Sequence, residues 1–196
     1  MNTKKFNQRM ALWYQQCQAH DASQTDRLAR WRNLEPESAQ VLVQLLHAKQ
    51  AKTVLEIGTS NGFSTAWIAY ALAKQHGLLI TIELDEVRSL LAQEQLKALD
   101  IHQNVEFLVA DAKHVLAEFS QDVDVIFLDA ERRFYSDYIN DLKRLLKQKA
   151  GNTLVVDNVI SHQHEVADFL QCFIDDEQYS CLTLNIGAGL FIATQL

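Results

Sequence analysis

The sequence has few of the residues that interrupt regular structure. It contains one proline, Pro36, and six glycines among 196 residues. No stretch has the glycine-, serine- or proline-rich composition of a flexible linker, and no segment repeats. This composition predicts one folded domain over residues 1–196, with residues 1–35 forming a helical N-terminal segment that packs on it.

Other scarcities exclude whole classes of protein. The three cysteines, Cys17, Cys172 and Cys181, are odd in number and lack CxxC or metal-ligand spacing, so we expect reduced thiols. No apolar run is long enough to cross a bilayer, and the N-terminus lacks the apolar core of a signal peptide. We therefore expect a soluble, cytoplasmic protein with no membrane partner.

Positive charge is also limited. The 18 lysines and arginines are outnumbered by 25 acidic residues, which gives a net charge of −7 and argues against a nucleic-acid partner. The N-terminal segment has a mild basic bias, which we interpret as a solvated face or an internal interface rather than a DNA-binding arm. The residues concerned are Lys4, Lys5, Arg9, Arg27, Arg30 and Arg32.

One stretch, residues 53–64, organises the rest of the chain. A short apolar run reaches Glu56, a glycine turn follows at Gly58 and Gly62, and apolar residues at helical spacing begin at Phe63. Strand, glycine turn and helix in this order are typical of the opening of a nucleotide-binding βαβ unit.

The glycine spacing narrows the choice of ligand. It is Gly-x-x-x-Gly, unlike the dinucleotide fingerprint and unlike the phosphate loop, which ends in Gly-Lys-Ser/Thr. Glu56 would repel a pyrophosphate but suits a ligand with positive charge, and S-adenosylmethionine fits this description. The alternative is an ordinary glycine turn with Glu56 at a solvated strand end.

Beyond this turn, apolar strand segments alternate with helical segments. The predicted strands cover residues 78–83, 105–109, 123–128 and 153–156, and the predicted helices cover 87–99, 112–119, 138–146 and 166–174. The alternation predicts an α/β fold with a mostly parallel sheet of seven strands and helices on both faces. Two final strands, residues 181–186 and 190–194, flank Gly187-Ala188-Gly189 and predict a C-terminal antiparallel hairpin.

The N-terminal segment has apolar residues at helical spacing. We predict that residues 2–31 are helical in two pieces, interrupted near residues 20–23. The next helix should begin at Pro36, which suits a first helical turn. Glu35 and Glu37 either lie at the entrance of a site or act as acids that favour the helix dipole. Apolar stripes that favour packing rather than cofactor binding are formed by Trp13, Tyr14, Cys17, Leu28 and Trp31.

The predicted parallel strands end in acidic residues. Because the carboxyl ends of parallel strands lie along one edge of a sheet, where ligands bind, these residues should gather there: Glu56, Glu83, Asp111, Asp129 and Asp157. Carboxylates on one rim repel one another unless cations or hydrogen-bond donors lie among them. The rim therefore predicts a ligand with hydroxyl groups and positive charge, with or without a metal.

Residue chemistry suggests individual roles, each with a simpler alternative. Glu83 can accept both hydroxyls of a ribose. Asp111 can accept a hydrogen bond from an adenine amine or can cap the following helix. Asp129, Asp157 and Asn158 offer oxygen ligands for a hard cation such as Mg²⁺ or Ca²⁺, unless the last two only turn the chain.

Four motifs, taken in order, resemble those of a known family. They are Val54-Leu-Glu-Ile-Gly-Thr-Ser-Asn-Gly-Phe-Ser64, Ile82-Glu83-Leu-Asp85, Phe127-Leu-Asp129-Ala and Val156-Asp157-Asn158-Val159. From about Pro36 to the C-terminus the chain is similar to class I S-adenosylmethionine-dependent O-methyltransferases, and within them to the group of caffeoyl-CoA and catechol O-methyltransferases with many small bacterial members. The resemblance implies a Rossmann-like class I methyltransferase fold and a methyltransferase activity.

The resemblance also implies roles for individual residues. Cofactor-binding residues would be Glu56, Gly58, Ser60 and Ser64 at the methionine part, Glu83 at the ribose, Asp111 and Ala112 at the adenine, and Asp129 beside them. Asp129, Asp157 and Asn158 correspond to the ligands of a divalent metal such as Mg²⁺, which in that family chelates two adjacent oxygens of a catechol-like acceptor and lowers the pKa of the attacked hydroxyl. Homodimers are frequent in the family.

One position departs from the family pattern. Metal-dependent members carry a lysine general base three residues after the first metal aspartate, where this chain has Arg132. A guanidinium stays protonated at any working pH and cannot take the proton, but it can stabilise a phenolate or hold an acidic acceptor. His162 or His164 could act as the base, although surface histidines at a helix N-terminus are the commoner reading.

These observations together predict the reaction. We expect transfer of a methyl group from S-adenosylmethionine to a hydroxyl of a small phenolic or catechol-like acceptor, with Asp129, Arg132 and His162 as catalytic residues. The alternatives are a metal-independent methyltransferase with an oxygen or nitrogen acceptor, and a non-catalytic cofactor-binding protein of the same fold. A nucleotide-dependent oxidoreductase is disfavoured because its glycine fingerprint is missing.

Overall fold

The computed structural model describes residues 2–26 and 29–196. In chain order, its elements within these ranges are α1 Thr3–Ser23, α2 Pro36–Lys49, β1 Thr53–Ile57, α3 Phe63–Ala73, β2 Leu78–Glu83, α4 Glu86–Leu99, β3 Val105–Val109, α5 Ala112–Glu118, β4 Val125–Leu128, α6 Tyr135–Leu146, β5 Thr153–Val156, α7 Gln163–Ile174, β6 Tyr179–Leu184 and β7 Leu190–Gln195. A 3₁₀ turn, Arg132–Phe134, leads directly into α6.

The strands form one seven-stranded sheet in the order β3-β2-β1-β4-β5-β7-β6. Strands β1 to β5 pair in parallel, whereas β7 runs antiparallel to both β5 and β6. The predicted mostly parallel sheet with a C-terminal antiparallel hairpin is therefore confirmed. The strand order reverses between β1 and β4, and open α/β sheets bind their ligands at such a reversal.

Alternate residues of the strands serve two separate cores, one on each face of the sheet. In β1, for example, Val54 points into one core while Leu55 and Ile57 point into the other. The first core is completed by α1 to α4, and the second by α5, α6 and α7. Because strands buried on both faces need apolar residues throughout, the continuous apolar runs of the sequence predicted this layering correctly.

The N-terminal segment differs from its prediction. It is one uninterrupted helix to Ser23, and residues 29–35 are not α-helical, while Leu28 and Arg27 lie outside the described residues. The reason lies at Asp21, whose carboxylate oxygens accept the backbone N–H groups of Trp31 at 2.7 Å and Arg32 at 2.8 Å. Side-chain capture of these donors replaces helical hydrogen bonds. We call residues 31–35 the strap.

Other boundaries shift by one to three residues. Helix α6 starts at Tyr135 rather than at residue 138, since the 3₁₀ turn continues into it. Strand β6 covers Tyr179–Leu184 rather than residues 181–186, because the carbonyl of Ile186 accepts hydrogen bonds from Gly189 and from Ser38 instead of joining the ladder.

Helix α1 lies on α3, the helix that follows the glycine turn. Residues 63–72 of α3 are buried on every side, so α3 needs neighbours all round. Phe6 of α1 is fully buried, stacks on Tyr70 with ring centroids 3.8 Å apart, and meets Trp67 edge-on at 5.0 Å. The helix that presents its N-terminus to the site is thus held in part by the N-terminal segment.

Glu56 links three elements from inside the core. It lies in β1 with no exposed surface, and it accepts hydrogen bonds of 2.6 Å from Ser64 and Thr65 of α3 and from Thr81 of β2. Burial raises the pKa of Glu56 to about 7, against the effect of the three hydroxyl donors. This residue is a buried junction, not a solvated strand end.

The first prediction concerns Phe6. Phe6→Ala should lower the free energy of unfolding by about 3–5 kcal/mol, because removal of the ring would leave a large cavity between α1 and α3. Urea unfolding followed by tryptophan fluorescence measures the change. Leu12→Ala on the same helix, where the side chain is 62% exposed, is the matched control and should change stability by less than about 0.5 kcal/mol. If both variants changed the free energy of unfolding by the same small amount, α1 would not unfold cooperatively with the rest of the domain.

The second prediction concerns the pH dependence that Glu56 imposes. Since its folded pKa lies above the unfolded value, folding takes up a proton, and this stabilisation is complete below about pH 4 and lost as pH rises through about 7. Glu56→Gln should therefore flatten the stability profile between pH 4.5 and 7 by about 1 kcal/mol per pH unit. Urea unfolding at several pH values tests this, with exposed Glu118→Gln as control. An unchanged slope would contradict the raised pKa.

Candidate active site

A cavity of about 620 Å³ opens at the carboxyl ends of the parallel strands, where the strand order reverses between β1 and β4. Its volume is in the range of small-molecule sites. The walls come from the turn after β1, the ends of β2 and β3, the turn after β4, the loop after β5 and the strap. Predicted site residues on these walls are Gly58, Ser60, Ser64, Glu83, Asp111, Ala112, Asp129, Arg132, Asn158 and His162.

The glycine turn brings β1 and β4 into direct contact at the cavity. Gly58 has a φ of +105°, and a Cβ at this position would lie 2.2 Å from the backbone carbonyl oxygen of Asp129. Only glycine combines this backbone conformation with so close an approach. Ser60 adopts the left-handed conformation next in the turn, with a φ of 49°.

Glu83 forms the wall between the glycine turn and α4. One carboxylate oxygen accepts the backbone N–H of Ser60 at 2.7 Å, and the other accepts the backbone N–H of Asp85 at 3.0 Å. Each carboxylate oxygen has a further acceptor position. The carboxylate is therefore held in place by the main chain while it can still accept two hydroxyl groups of a ligand.

Past Glu83, the cavity continues to the end of β3. Asp111 caps α5 through a 2.8 Å hydrogen bond from the backbone N–H of Lys113, and it also lines the cavity with Ala112. The helix-cap reading and the ligand-binding reading of Asp111 are thus compatible. Leu84 and Tyr138 complete this end, which suits a flat ring with a polar edge.

Two of the predicted rim residues lie behind the wall instead of on it. Glu56 does not reach the cavity, and it contacts the wall only through the hydroxyl of Ser64. Asp157 is 1% exposed and lies beneath Asn158. Of the five acidic residues predicted to gather at this edge, three line the cavity, namely Glu83, Asp111 and Asp129, whereas Glu56 and Asp157 do not.

Asn158 bridges the carboxylates at the ends of β4 and β5. Its side-chain nitrogen donates to Asp129 at 3.1 Å and to Asp157 at 2.8 Å. The second oxygen of Asp157, Oδ1, is buried and has no hydrogen-bond partner among the described residues. A buried acceptor without a partner is costly, and it marks a position where a proton or a cation would be stabilised.

The pKa shifts of Asp129 and Asp157 agree with the geometry of this carboxylate pair. Burial raises the pKa of Asp129, while the guanidinium groups of Arg32 and Arg132 oppose the rise. Burial and the charge of Asp129 together raise the pKa of Asp157 far more strongly. Two carboxylates this close do not both carry their charge at neutral pH unless a positive group lies between them.

Arg132 and His162 lie on the same side of the cavity as Asp129. Arg132 is 7% exposed, and its Nε donates to Glu165 at 2.9 Å. The ring of His162 reaches the wall and pairs through Nδ1 with the hydroxyl of Ser161 at 2.8 Å. His164 is exposed and does not line the cavity. Of the two candidate bases, only His162 is within the site.

The strap covers one side of the cavity, and of its residues the sequence suggested only Glu35 for the site. Every strap residue lines the cavity, from Trp31 to Glu35. The ring of Trp31 is stacked on His20 at 4.7 Å and lies 5.5 Å from the guanidinium of Arg88. Apolar periodicity assigned Trp31 to packing, and no periodic signal marks an irregular segment. Of the two acids beside Pro36, Glu35 reaches the cavity and Glu37 does not.

Two negative findings apply to residues 2–26 and 29–196. No group of three or more His, Cys, Asp or Glu side chains is arranged to hold a metal ion, so a cation at Asp129 and Asp157 would need the amide oxygen of Asn158 as its third protein ligand. No helix in these ranges combines the length and apolar character needed to cross a membrane.

Known proteins resemble the chain along most of its length. It is 33% identical to the catechol O-methyltransferase of Niastella koreensis over 65% of the chain, and 34% identical to the catechol O-methyltransferase of Mycobacterium tuberculosis over 72%. These alignments span 58% and 62% of the two relatives. An O-methyltransferase from Bacillus cereus, solved with S-adenosylhomocysteine, shares the fold with a TM-score of 0.76 at 20% identity, over all of this chain and 93% of that one.

The match to a family model is broader than the alignments with the two catechol O-methyltransferases. The model, described as O-methyltransferase, covers residues 17–194 and so includes the glycine turn, the carboxylate pair and the strap. The chain belongs to the O-methyltransferase family.

Proposed function

We propose that the protein transfers a methyl group from S-adenosylmethionine to a hydroxyl oxygen of a small acceptor that presents two neighbouring oxygens. The observation that carries this proposal is the continuous cavity that joins Glu83 and the glycine turn to Asp129 and Asn158. A cofactor laid along the first group would point its reacting end at the second. Membership of the O-methyltransferase family and similarity to catechol O-methyltransferases support the same reaction.

Each part of the cofactor has a chemically suitable neighbour. Glu83 would accept the ribose hydroxyls, while Asp111 and Ala112 would lie at the adenine. Gly58 and Ser60 expose the backbone of the turn, and Ser64 presents its hydroxyl, beside the methionine part. Glu56 acts one step further back, since it accepts the hydroxyl of Ser64 and so fixes its orientation.

The donor set at the opposite end fits a divalent cation. Asp157 Oδ1 is a buried acceptor without a partner, and Asp129 supplies a second carboxylate on the cavity wall. Oxygen ligands of this kind suit Mg²⁺, which keeps several water molecules. The amide of Asn158 would have to present its oxygen in place of its nitrogen, a rotation that only exchanges its hydrogen-bond roles. When bound, such a cation would lower the pKa of the acceptor hydroxyl.

The protein side chains supply orientation and charge. Transfer between two bound molecules depends mainly on alignment of the attacking oxygen with the methyl carbon, at a separation of about 3 Å. Arg132 holds a fixed positive charge near the oxygen that becomes negative, which stabilises the acceptor oxyanion without exchanging a proton. His162, which lines the same end, is the candidate to accept the hydroxyl proton.

One observation favours a metal-independent variant of this reaction. The amide nitrogen of Asn158 already donates to both carboxylates, and Arg32 and Arg132 oppose the rise in the pKa of Asp129 that burial causes. Positive charge and donors from the protein could thus replace a cation. The two variants differ in their response to a chelator.

The third prediction tests the cofactor. Glu83→Gln should weaken binding of S-adenosylhomocysteine by about tenfold or more, because the amide replaces one of the two oxygens that accept the ribose hydroxyls. Isothermal titration calorimetry measures the dissociation constant. Glu86→Gln, an exposed residue one turn away that does not line the cavity, should leave it unchanged. Absence of binding to the unmodified protein would exclude the proposed function.

The fourth prediction tests the cation. Asp129→Ala should lower kcat/KM with a catechol acceptor by about a thousandfold, whereas Arg132→Ala should lower it by about a hundredfold at most, since only the first removes a metal ligand. Exposed Arg133→Ala is the matched control for Arg132. Initial rates are measured with Mg²⁺ and after treatment with EDTA.

The pattern of losses distinguishes the two variants of the mechanism. Loss of turnover in EDTA, restored by Mg²⁺, supports the cation. Equal losses in Asp129→Ala and Arg132→Ala, together with turnover that EDTA leaves intact, would contradict the cation and favour the metal-independent reaction.

A further inference from the structure

The end of the cavity beyond Asp129, which we call the acceptor end, is polar and charged. Beside the apolar lining residues Leu34, Ala130 and Phe134, its walls include two arginines together with acidic and hydrogen-bonding side chains: Arg32, Glu35, Glu131, Arg132, Asn158 and His162. The apolar residues Leu84 and Tyr138 line the cavity at its other end, near Asp111. An acceptor that offered only a flat apolar ring would leave most of these polar groups without partners.

Arg32 belongs to the strap and lines the acceptor end. Its backbone N–H is held by Asp21 at 2.8 Å, and its Nη2 donates to Glu131 at 2.6 Å. The Nε of Arg32 is buried and has no hydrogen-bond partner among the described residues. The guanidinium is therefore positioned from two sides while part of its donor capacity is unused.

Arg132 approaches the same end from the turn after β4. It uses Nε to bind Glu165, whose side chain is 49% exposed, while that of Arg132 is 6% exposed. Its two terminal nitrogens make no hydrogen bond among the described residues. Glu165 thus pairs with Nε of Arg132 from the more exposed side, while Arg132 itself lines the cavity.

The acidic residues around this end occupy only part of these donors, since Glu131 accepts from Nη2 of Arg32 and Glu165 accepts from Nε of Arg132. Glu35 accepts the backbone N–H of Ala188 at 3.3 Å in the loop between β6 and β7. Asp129 accepts from Asn158, and under the proposed function it is neutralised together with Asp157 by the cation. A planar guanidinium matches a carboxylate better than any other ligand group, since it presents paired donors and carries the opposite charge.

We propose that the methyl acceptor carries a carboxylate in addition to its hydroxyl groups, and that Arg32 and Arg132 bind this carboxylate from opposite sides. The inference rests on the proposed function for the position of the acceptor. It assigns Arg32, which lies outside the glycine turn and the carboxylate pair, as a residue that determines acceptor specificity. The strap then contributes to substrate choice as well as covering the cavity.

The test compares two acceptors that differ only in charge. These are 3,4-dihydroxybenzoate and its neutral amide, 3,4-dihydroxybenzamide, titrated by calorimetry into the full chain saturated with S-adenosylhomocysteine and Mg²⁺. The carboxylate should bind at least about tenfold more tightly than the amide, because two guanidinium groups contact it. Binding is measured without turnover, so the result does not depend on the chemical step.

Variants assign the preference to the arginines. Arg32→Gln should reduce the preference to within about threefold, and Arg32→Lys should retain part of it, since lysine keeps the charge but loses the planar fork. Arg132→Gln removes the other guanidinium and so tests its contribution independently of Arg32. Arg30→Gln is the matched control, because Arg30 lies two residues away, is exposed and donates to the carbonyl of Gln24 outside the cavity.

The outcomes separate this inference from the proposed function. Equal affinity for the two acceptors, tighter binding of the amide, binding of neither, or an unchanged preference in Arg32→Gln would each overturn the carboxylate site. The proposed function is judged by a separate assay, methyl transfer from labelled S-adenosylmethionine to either acceptor. Methyl transfer without a charge preference would leave the methyltransferase intact and remove only the inference about Arg32.

Discussion

The site depends on one close approach of the main chain, between the turn after β1 and the turn after β4. Gly58 comes so near to the carbonyl of Asp129 that a single added methyl group would overlap it at 2.2 Å. Because the two strands are neighbours at the point where the sheet order reverses, this contact fixes Asp129 relative to the glycine turn. Any ligand bound along the turn is therefore brought to the carboxylate pair by the backbone itself, before side chains contribute.

A second constraint acts from outside the sheet. The strap contains no helix or strand, yet Asp21 fixes it by accepting two consecutive backbone N–H groups. The same strap places Arg32 and Glu35 near Asp129, so the N-terminal segment adds one positive and one negative charge to an edge whose strand ends are acidic. The stability of α1 on α3, through Phe6, thus bears on the geometry of the acceptor end as well as on the fold.

The sequence predicted the sheet well because parallel strands buried on both faces must be apolar throughout. It also predicted the turn after β1, because the close approach of that turn to Asp129 requires a glycine, and the sequence has Gly58 there. It also placed Glu83, Asp111 and Asp129 at one edge of the sheet, where all three line the cavity, since the ends of parallel strands meet there. It failed for Trp31 and the strap, whose position depends on a tertiary hydrogen bond to Asp21 that leaves no periodic trace. It also failed to separate Glu56 from the cavity wall, because alternation along a strand, not acidity, decides which face a side chain occupies.

Glu56 and Asp157, the two buried acids behind the cavity wall, differ in how their carboxylate oxygens are hydrogen-bonded. Glu56 is fully satisfied by three hydroxyl groups and serves as a structural junction. Asp157 keeps one buried oxygen, Oδ1, without a hydrogen-bond partner among the described residues. A buried polar atom without a partner is unfavourable for folding, and proteins tolerate such violations mainly at functional sites. The difference between these two carboxylates, rather than the number of acids on the rim, is therefore the observation that favours Asp157 over Glu56 as a ligand of the proposed cation.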